Sequence, residues 1–123
     1  MKIVSFGKPT NPNTKRAIQP STIYQQWEKT AIQYLQDKVK PWAGDYPVEV
    51  HFFIFRDSKR AWDIDNVFCG CLDVLQSTNV LENDTMKHVI PVFAGWAIDR
   101  QNPRAELLIQ PATKTYFRED LCT

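Results

Sequence analysis

Val48-Glu49-Val50-His51-Phe52-Phe53-Ile54-Phe55-Arg56, followed after a basic turn by Trp62-Asp63-Ile64-Asp65-Asn66, is the stretch on which the fold turns. Val48, Val50, Phe52 and Ile54 alternate with Glu49, His51, Phe53 and Phe55, which is the period of a strand running from Pro47 to Arg56. Past Asp63 the period changes. Ile64, Val67, Phe68, Cys71, Leu72 and Leu75 fall at helical spacing and form one apolar stripe, predicting a helix from Asn66 to about Ser77. The change from strand to helix therefore coincides with two acids two residues apart.

Outward from this junction the remaining elements are shorter on signal. Gln76 to Asn79 supplies the helix exit, and Met86 to Ile98 reads as a strand interrupted by Pro91 and Gly95, hence at an edge or bulged. Arg104 to Gln110 is a last strand. Upstream, Lys2 to Phe6 is an opening strand and Gly7 to Pro20 a loop rich in Pro, Asn and Thr. Ser21 is placed to cap a helix carrying Ile23, Trp27, Ala31, Tyr34, Leu35 and Val39, which ends near Lys40-Pro41. The expected order is β-α-β-α-β-β, an α/β (α+β) fold with two helices packed on a small mixed sheet. Residues 1–110 form the single domain, and 111–123 a polar tail or small appended element.

Composition narrows the class without naming a function. The chain has 123 residues, 43% hydrophobic and 24% charged, with a formal net charge of +1, the balance of an ordinary globular domain. No apolar run approaches the roughly 20 residues that span a bilayer. The short Ile3-Val4-Ser5-Phe6 run does not make a cleavable signal, so a cytoplasmic location is expected. Cys69, Cys71 and Cys122 are an odd set, expected as reduced thiols, and Cys69-Gly70-Cys71 lacks zinc-finger spacing. The small net charge conceals two basic groups: Lys8, Lys15 and Arg16 in the early loop, and Arg56, Lys59 and Arg60 just before the acids.

Asp63 and Asp65 cannot share a helical face, because two residues turn a helix by about 200°. They can act together only if Asp63 is extended or capping while Asp65 lies in the first turn. Asp84 is the third acid. A helix to Ser77 is roughly 17 Å long, and the seven-residue return spans at most about 23 Å, so Asp84 reaches back if that return is nearly straight. Three converging carboxylates suit a hard divalent cation such as Mg²⁺. Taken as spacing alone, the same acids also read as an N-cap and a turn.

The run Arg60-Ala61-Trp62-Asp63-Ile64-Asp65-Asn66, then Leu72-Asp73-Val74-Leu75, then Leu81-Glu82-Asn83-Asp84, resembles the RusA-type Holliday junction resolvases. That family carries Asp-hydrophobe-Asp-Asn, a helix with a Leu/Phe-Asp-Ala-Leu segment, and an acidic pair shortly after it. The spacing matches without gaps from Asp63 to Asp84. The resemblance implies a homodimeric, Mg²⁺-dependent endonuclease (Mn²⁺ also serving) that nicks four-way and other branched DNA symmetrically. It implies Asp63, Asp65 and Asp84 as catalytic metal ligands, with Asn66 and Asn83 in support. Lys8, Lys15, Arg16, Arg56, Lys59 and Arg60 become phosphate contacts. Where the family has a lysine one turn into the helix, this chain has Cys69. Two other expectations stand beside the nuclease: a branched-DNA-binding protein of the same fold whose catalysis lapsed with that lysine, and a protein-interaction domain in which the acids are caps.

Overall fold

The computed structural model describes residues 2–7, as backbone, and residues 22–123. The elements run β1 (Lys2–Gly7), α1 (Thr22–Lys38), β2 (Val48–Arg56), α2 (Ile64–Ser77), β3 (Val89–Ile98), β4 (Arg104–Pro111) and a 3-10 turn at Glu119–Leu121. The α+β fold is built on one mixed sheet in the order β1-β4-β2-β3. β4 runs antiparallel to both β1 and β2, whereas β2 and β3 are parallel and joined through α2.

The alternation of β2 decides which face becomes the core. Val48, Val50, Phe52 and Ile54 are fully buried, and the matching face of β4 contributes Ala105, Leu107 and Ile109. Against them pack Tyr24, Trp27, Ala31 and Leu35 of α1 and Val67, Cys71, Val74 and Leu75 of α2. Each buried Val, Leu, Ile or Phe among them contributes about 1.5–3 kcal/mol by leaving water. The α1 stripe starts one residue later than the sequence spacing suggests: Tyr24 is buried and Ile23 is 68% exposed. Ile64 also departs from the expected stripe and is exposed, because it stands in the first turn of α2 at the end of the core. α2 stops at Thr78, followed by Asn79 in the left-handed region at φ 59°, which Asn tolerates.

β3 is an edge strand with a bulge, as Pro91 and Gly95 suggest. Its register jumps between the Phe52–Phe93 and Phe53–Gly95 pairs, leaving Ala94 as the extra residue. It starts at Val89 rather than Met86, because residues 86–88 form a turn closed by His88 N donating to the Thr85 carbonyl. His88 thus lies in a turn and not in a strand. His51 is a sheet residue as expected, its Nε2 3.0 Å from Glu49 Oε1. No helix of the described residues is long and apolar enough to cross a membrane.

The segment 111–123 is more than a tail. Ala112 N donates to Pro47 O, extending the edge of the sheet. Glu49, only 3% exposed, then receives the Thr113 backbone N–H at 2.7 Å, the Thr113 hydroxyl at 2.6 Å and the Tyr116 hydroxyl at 2.8 Å. Gln110 Nε2 adds a further bond at 3.0 Å. A buried charge is tolerated only when its lone pairs are met, and here they are met largely from the last fifteen residues of the chain. An acid among apolar neighbours on β2 is the one trace of this latch in the sequence.

Candidate functional site

The site grows from the end of β2. Residues 57–61 leave the sheet, Trp62 turns back onto the core, and Asp63 opens α2 in an extended conformation. Asp63 Oδ1 accepts from the backbone N–H of Asp65 at 3.0 Å and of Asn66 at 3.3 Å. Asn66 Nδ2 donates to Asp63 Oδ2 at 3.1 Å. Asp63 is therefore the N-cap, an acid where helix N–H groups and the helix dipole favour negative charge. Asp65 follows in the first turn, free of that capping duty and exposed.

Asp84 comes from the return between α2 and β3. That return is pinned at its start: Trp42 N donates to Val80 O, and Glu82 N donates to the Tyr46 hydroxyl at 2.9 Å. Asn83 Oδ1 then accepts from the backbone N–H of Asp84 at 2.8 Å and of Thr85 at 3.3 Å. This Asx turn fixes the backbone under Asp84, so Asn83 works on its own loop.

Cys69 registers how these acids are arranged. Its Sγ lies 4.0 Å from Asp65 Oδ1, one turn along α2. Partial burial first, and then the charges of Asp65, Asp73, Asp84 and Asp63, push the thiol above its ordinary pKa. Each of the three carboxylates of the motif is thus near enough for its charge to be felt at this thiol, Asp65 most strongly. Asp73, one turn further, is exposed but also raised, by burial and then by Asp84 and Glu28. Spacing alone gave no sign that Asp73 and Glu28 join this negative face; the packing of α1 on α2 creates it.

Among the described residues, no three His, Cys, Asp or Glu side chains are already grouped closely enough to hold one metal ion. The donor set nonetheless fits a hard divalent cation: carboxylate oxygens from Asp63, Asp65 and Asp84, with no competing nitrogen.

The basic residues divide. Lys8, Lys15 and Arg16 lie outside the described residues. Lys59 and Arg60 are exposed on the turn before Trp62. Arg56 is half-buried, its guanidinium 5.5 Å from the centre of the Trp62 ring and its Nη2 3.5 Å from Arg60 O. Its Nε is buried without a hydrogen-bond partner among the described residues. Arg56 braces the turn that carries the acids. Trp62 also meets Phe93 at 6.1 Å, and Phe68 stacks on Phe52 at 4.1 Å, so these aromatics tie α2 to the sheet.

No known family profile matches the chain. Over 60 residues it is 33% identical to the crossover junction endodeoxyribonuclease RusA of Aquifex aeolicus. That match covers 49% of this chain and 48% of the relative, so the chain matches about half the length of that protein.

Proposed function

We propose that the protein is a structure-selective DNA endonuclease of the RusA kind, acting on four-way junctions or other branched DNA in recombination and repair. The observation that carries this reading is the acidic start of α2, where Asp63 caps the helix and Asp65 stands in its first turn, with Asp84 near enough for its charge to act with theirs on Cys69. The likeness to a crossover junction endodeoxyribonuclease over half the chain supports it. Asp63, Asp65 and Asp84 would hold Mg²⁺, with Mn²⁺ able to replace it. When bound, that ion polarises a scissile phosphate and lowers the pKa of an attacking water.

The chain's own residues do the rest. Asn66 and the N–H groups of α2 hold the Asp63 carboxylate in a fixed orientation. The Asx turn at Asn83 fixes the backbone that carries Asp84. Lys59 and Arg60, exposed beside the acids, attract the phosphate backbone without reading bases. Without bound DNA or metal, the negative face of α2 repels a phosphate, so cation and substrate bind interdependently. A homodimer would present two such sites related by a two-fold axis, matching the symmetry of a junction.

Cys69 supports a second reading, in which the protein binds branched DNA and cuts it poorly. A thiol, its pKa raised by partial burial and then by the surrounding acids, supplies no positive charge to a phosphate in the transition state. Incubation of a synthetic four-way junction and a linear duplex of the same sequence with Mg²⁺ separates these readings. Paired nicks confined to the junction support the nuclease. Salt-sensitive junction binding without nicks supports the binding protein, and no binding at low salt removes both.

A further inference from the structure

The C-terminal segment builds a cleft that the acid site does not use. Its volume is about 820 Å³, with Pro47, Ile90 and Phe117 as apolar lining and Lys87, Lys114 and Arg118 as its charged residues. No acid lines it. Arg118 is paired with the exposed Asp120 at 2.6 Å, whereas Lys87 and Lys114 have no ion-pair partner among the described residues. Lys114 Nζ stands 5.2 Å from the centre of the Tyr116 ring, and Phe117 is 71% exposed. Two aromatic rings beside unpaired cations, with no opposing acid, form the surface that stacks bases and attracts phosphates. With Arg118 offset by Asp120, the charge of the cleft rests on Lys87 and Lys114, which favour an acidic or phosphate-bearing occupant.

The cleft is fixed in place. Tyr116 and Thr113 are tied to buried Glu49, so the tail carrying Lys114 and Phe117 is anchored on β2. It is also joined to Asp84 by a short stretch of chain. Lys87 is three residues from Asp84, at most about 10 Å of chain. A strand rising about 3.4 Å per nucleotide crosses that distance in about three nucleotides.

We infer that the Glu49-anchored C-terminal segment forms a single-stranded DNA cleft, in which Phe117 and Tyr116 stack bases and Lys87 and Lys114 contact phosphates. This rests on the nuclease reading for its substrate and extends it by assigning a strand-holding site beside Asp84. An unpaired arm or displaced strand of a branched molecule is held there while the neighbouring phosphate faces the acids. The occupant is a nucleic-acid strand because the cleft offers stacking rings and cations but no acid to select a base edge.

Titration of a six-nucleotide oligo-dT into the ¹⁵N-labelled full chain tests the cleft without requiring cleavage. The expected result is chemical-shift change concentrated at residues 86–90 and 114–118, fading with added salt. Phe117→Ala, at an exposed position that folding does not need, should weaken binding about 5- to 100-fold. Lys87→Ala and Lys114→Ala should each reduce the salt dependence by about one phosphate contact. Shifts confined to other surfaces, or affinity unchanged in all three variants, overturn the cleft. So does concentration-dependent broadening of the same residues without DNA, which would mark a protein–protein contact. A wild type that binds the oligomer at the tail but leaves junctions uncut contradicts the nuclease and leaves the cleft. A wild type that cuts junctions while the tail residues stay unshifted does the reverse.

Discussion

The Cys69 sulfur sits 4.0 Å from Asp65 Oδ1, one turn along the same helix, at the point where Asp63, Asp65, Asp73 and Asp84 all exert their charge. A cation would be stabilised at that position, and a thiolate is opposed. Cys69→Lys therefore places an ammonium on the acidic face of α2, one turn from Asp65. Junction cleavage should rise, by about 10²–10³ if the lysine recovers a preorganised transition-state charge. Single-turnover rates with saturating enzyme measure this directly. An unchanged rate would mean that some other cation, such as Lys59 or Arg60, already fills the role.

Asp63 is given two duties by its position, and substitution separates them. Asn caps a helix about as well as Asp, whereas Ala loses the cap at a cost of about 0.5–2 kcal/mol. Asp63→Asn should keep the thermal midpoint and lose cleavage. Asp63→Ala should lose cleavage and also lower the midpoint by a few degrees. Thermal unfolding beside the cleavage assay distinguishes them, and an active Asp63→Asn would remove Asp63 from the ligand set.

Glu49 ties stability to pH. The Thr113 hydroxyl and backbone N–H, then His51 and Gln110, hold its carboxyl well below the usual carboxylate range against the opposing effect of burial. A group depressed in the folded state contributes stability above its unfolded pKa, near 4.3, and loses it as pH falls through the folded value. Wild-type protein should thus lose stability from about pH 5 downward. Glu49→Gln should flatten that acid limb and speed proteolysis within 112–118. Denaturation midpoints between pH 3 and 7, with limited proteolysis at neutral pH, test both.

Gly95 is the glycine whose absence of a side chain the bulge requires. Its φ of 139° is unfavourable for other residues, and a Cβ there would meet Phe53 Cε2 at 3.1 Å. Gly95→Ala should destabilise by about 1–3 kcal/mol. A circular-dichroism melt that matches wild type would contradict this view of the bulge.

The strand at Val48–Arg56 and the helix after Asp63 were legible because each carries a clean period and borders a turn. The edge character of β3 was legible from Pro91 and Gly95, since both residues disturb a ladder for backbone reasons. The burial of Tyr24 in place of Ile23 was not, because both are apolar and one residue of helical phase is fixed only by the partner surface. Asp63 as a cap could be read locally. The path of the return that carries Asp84 depended on the Trp42–Val80 and Tyr46–Glu82 bonds, which join residues far apart in sequence. Glu49 with Thr113 and Tyr116 was invisible for the same reason, at a separation of more than sixty residues.

The central claim is that Asp63, Asp65 and Asp84 form a metal-dependent phosphodiesterase site. Asp65 tests it most directly, because it carries no capping bond and its loss should leave the fold intact. Wild type and Asp65→Asn should be incubated with a four-way junction across a Mg²⁺ titration, with junction affinity measured in parallel. Wild type should give symmetric nicks that need the metal and fall by at least about 10² in Asp65→Asn, with binding retained. Equal cleavage by both proteins, or wild-type cleavage that survives EDTA, would contradict it.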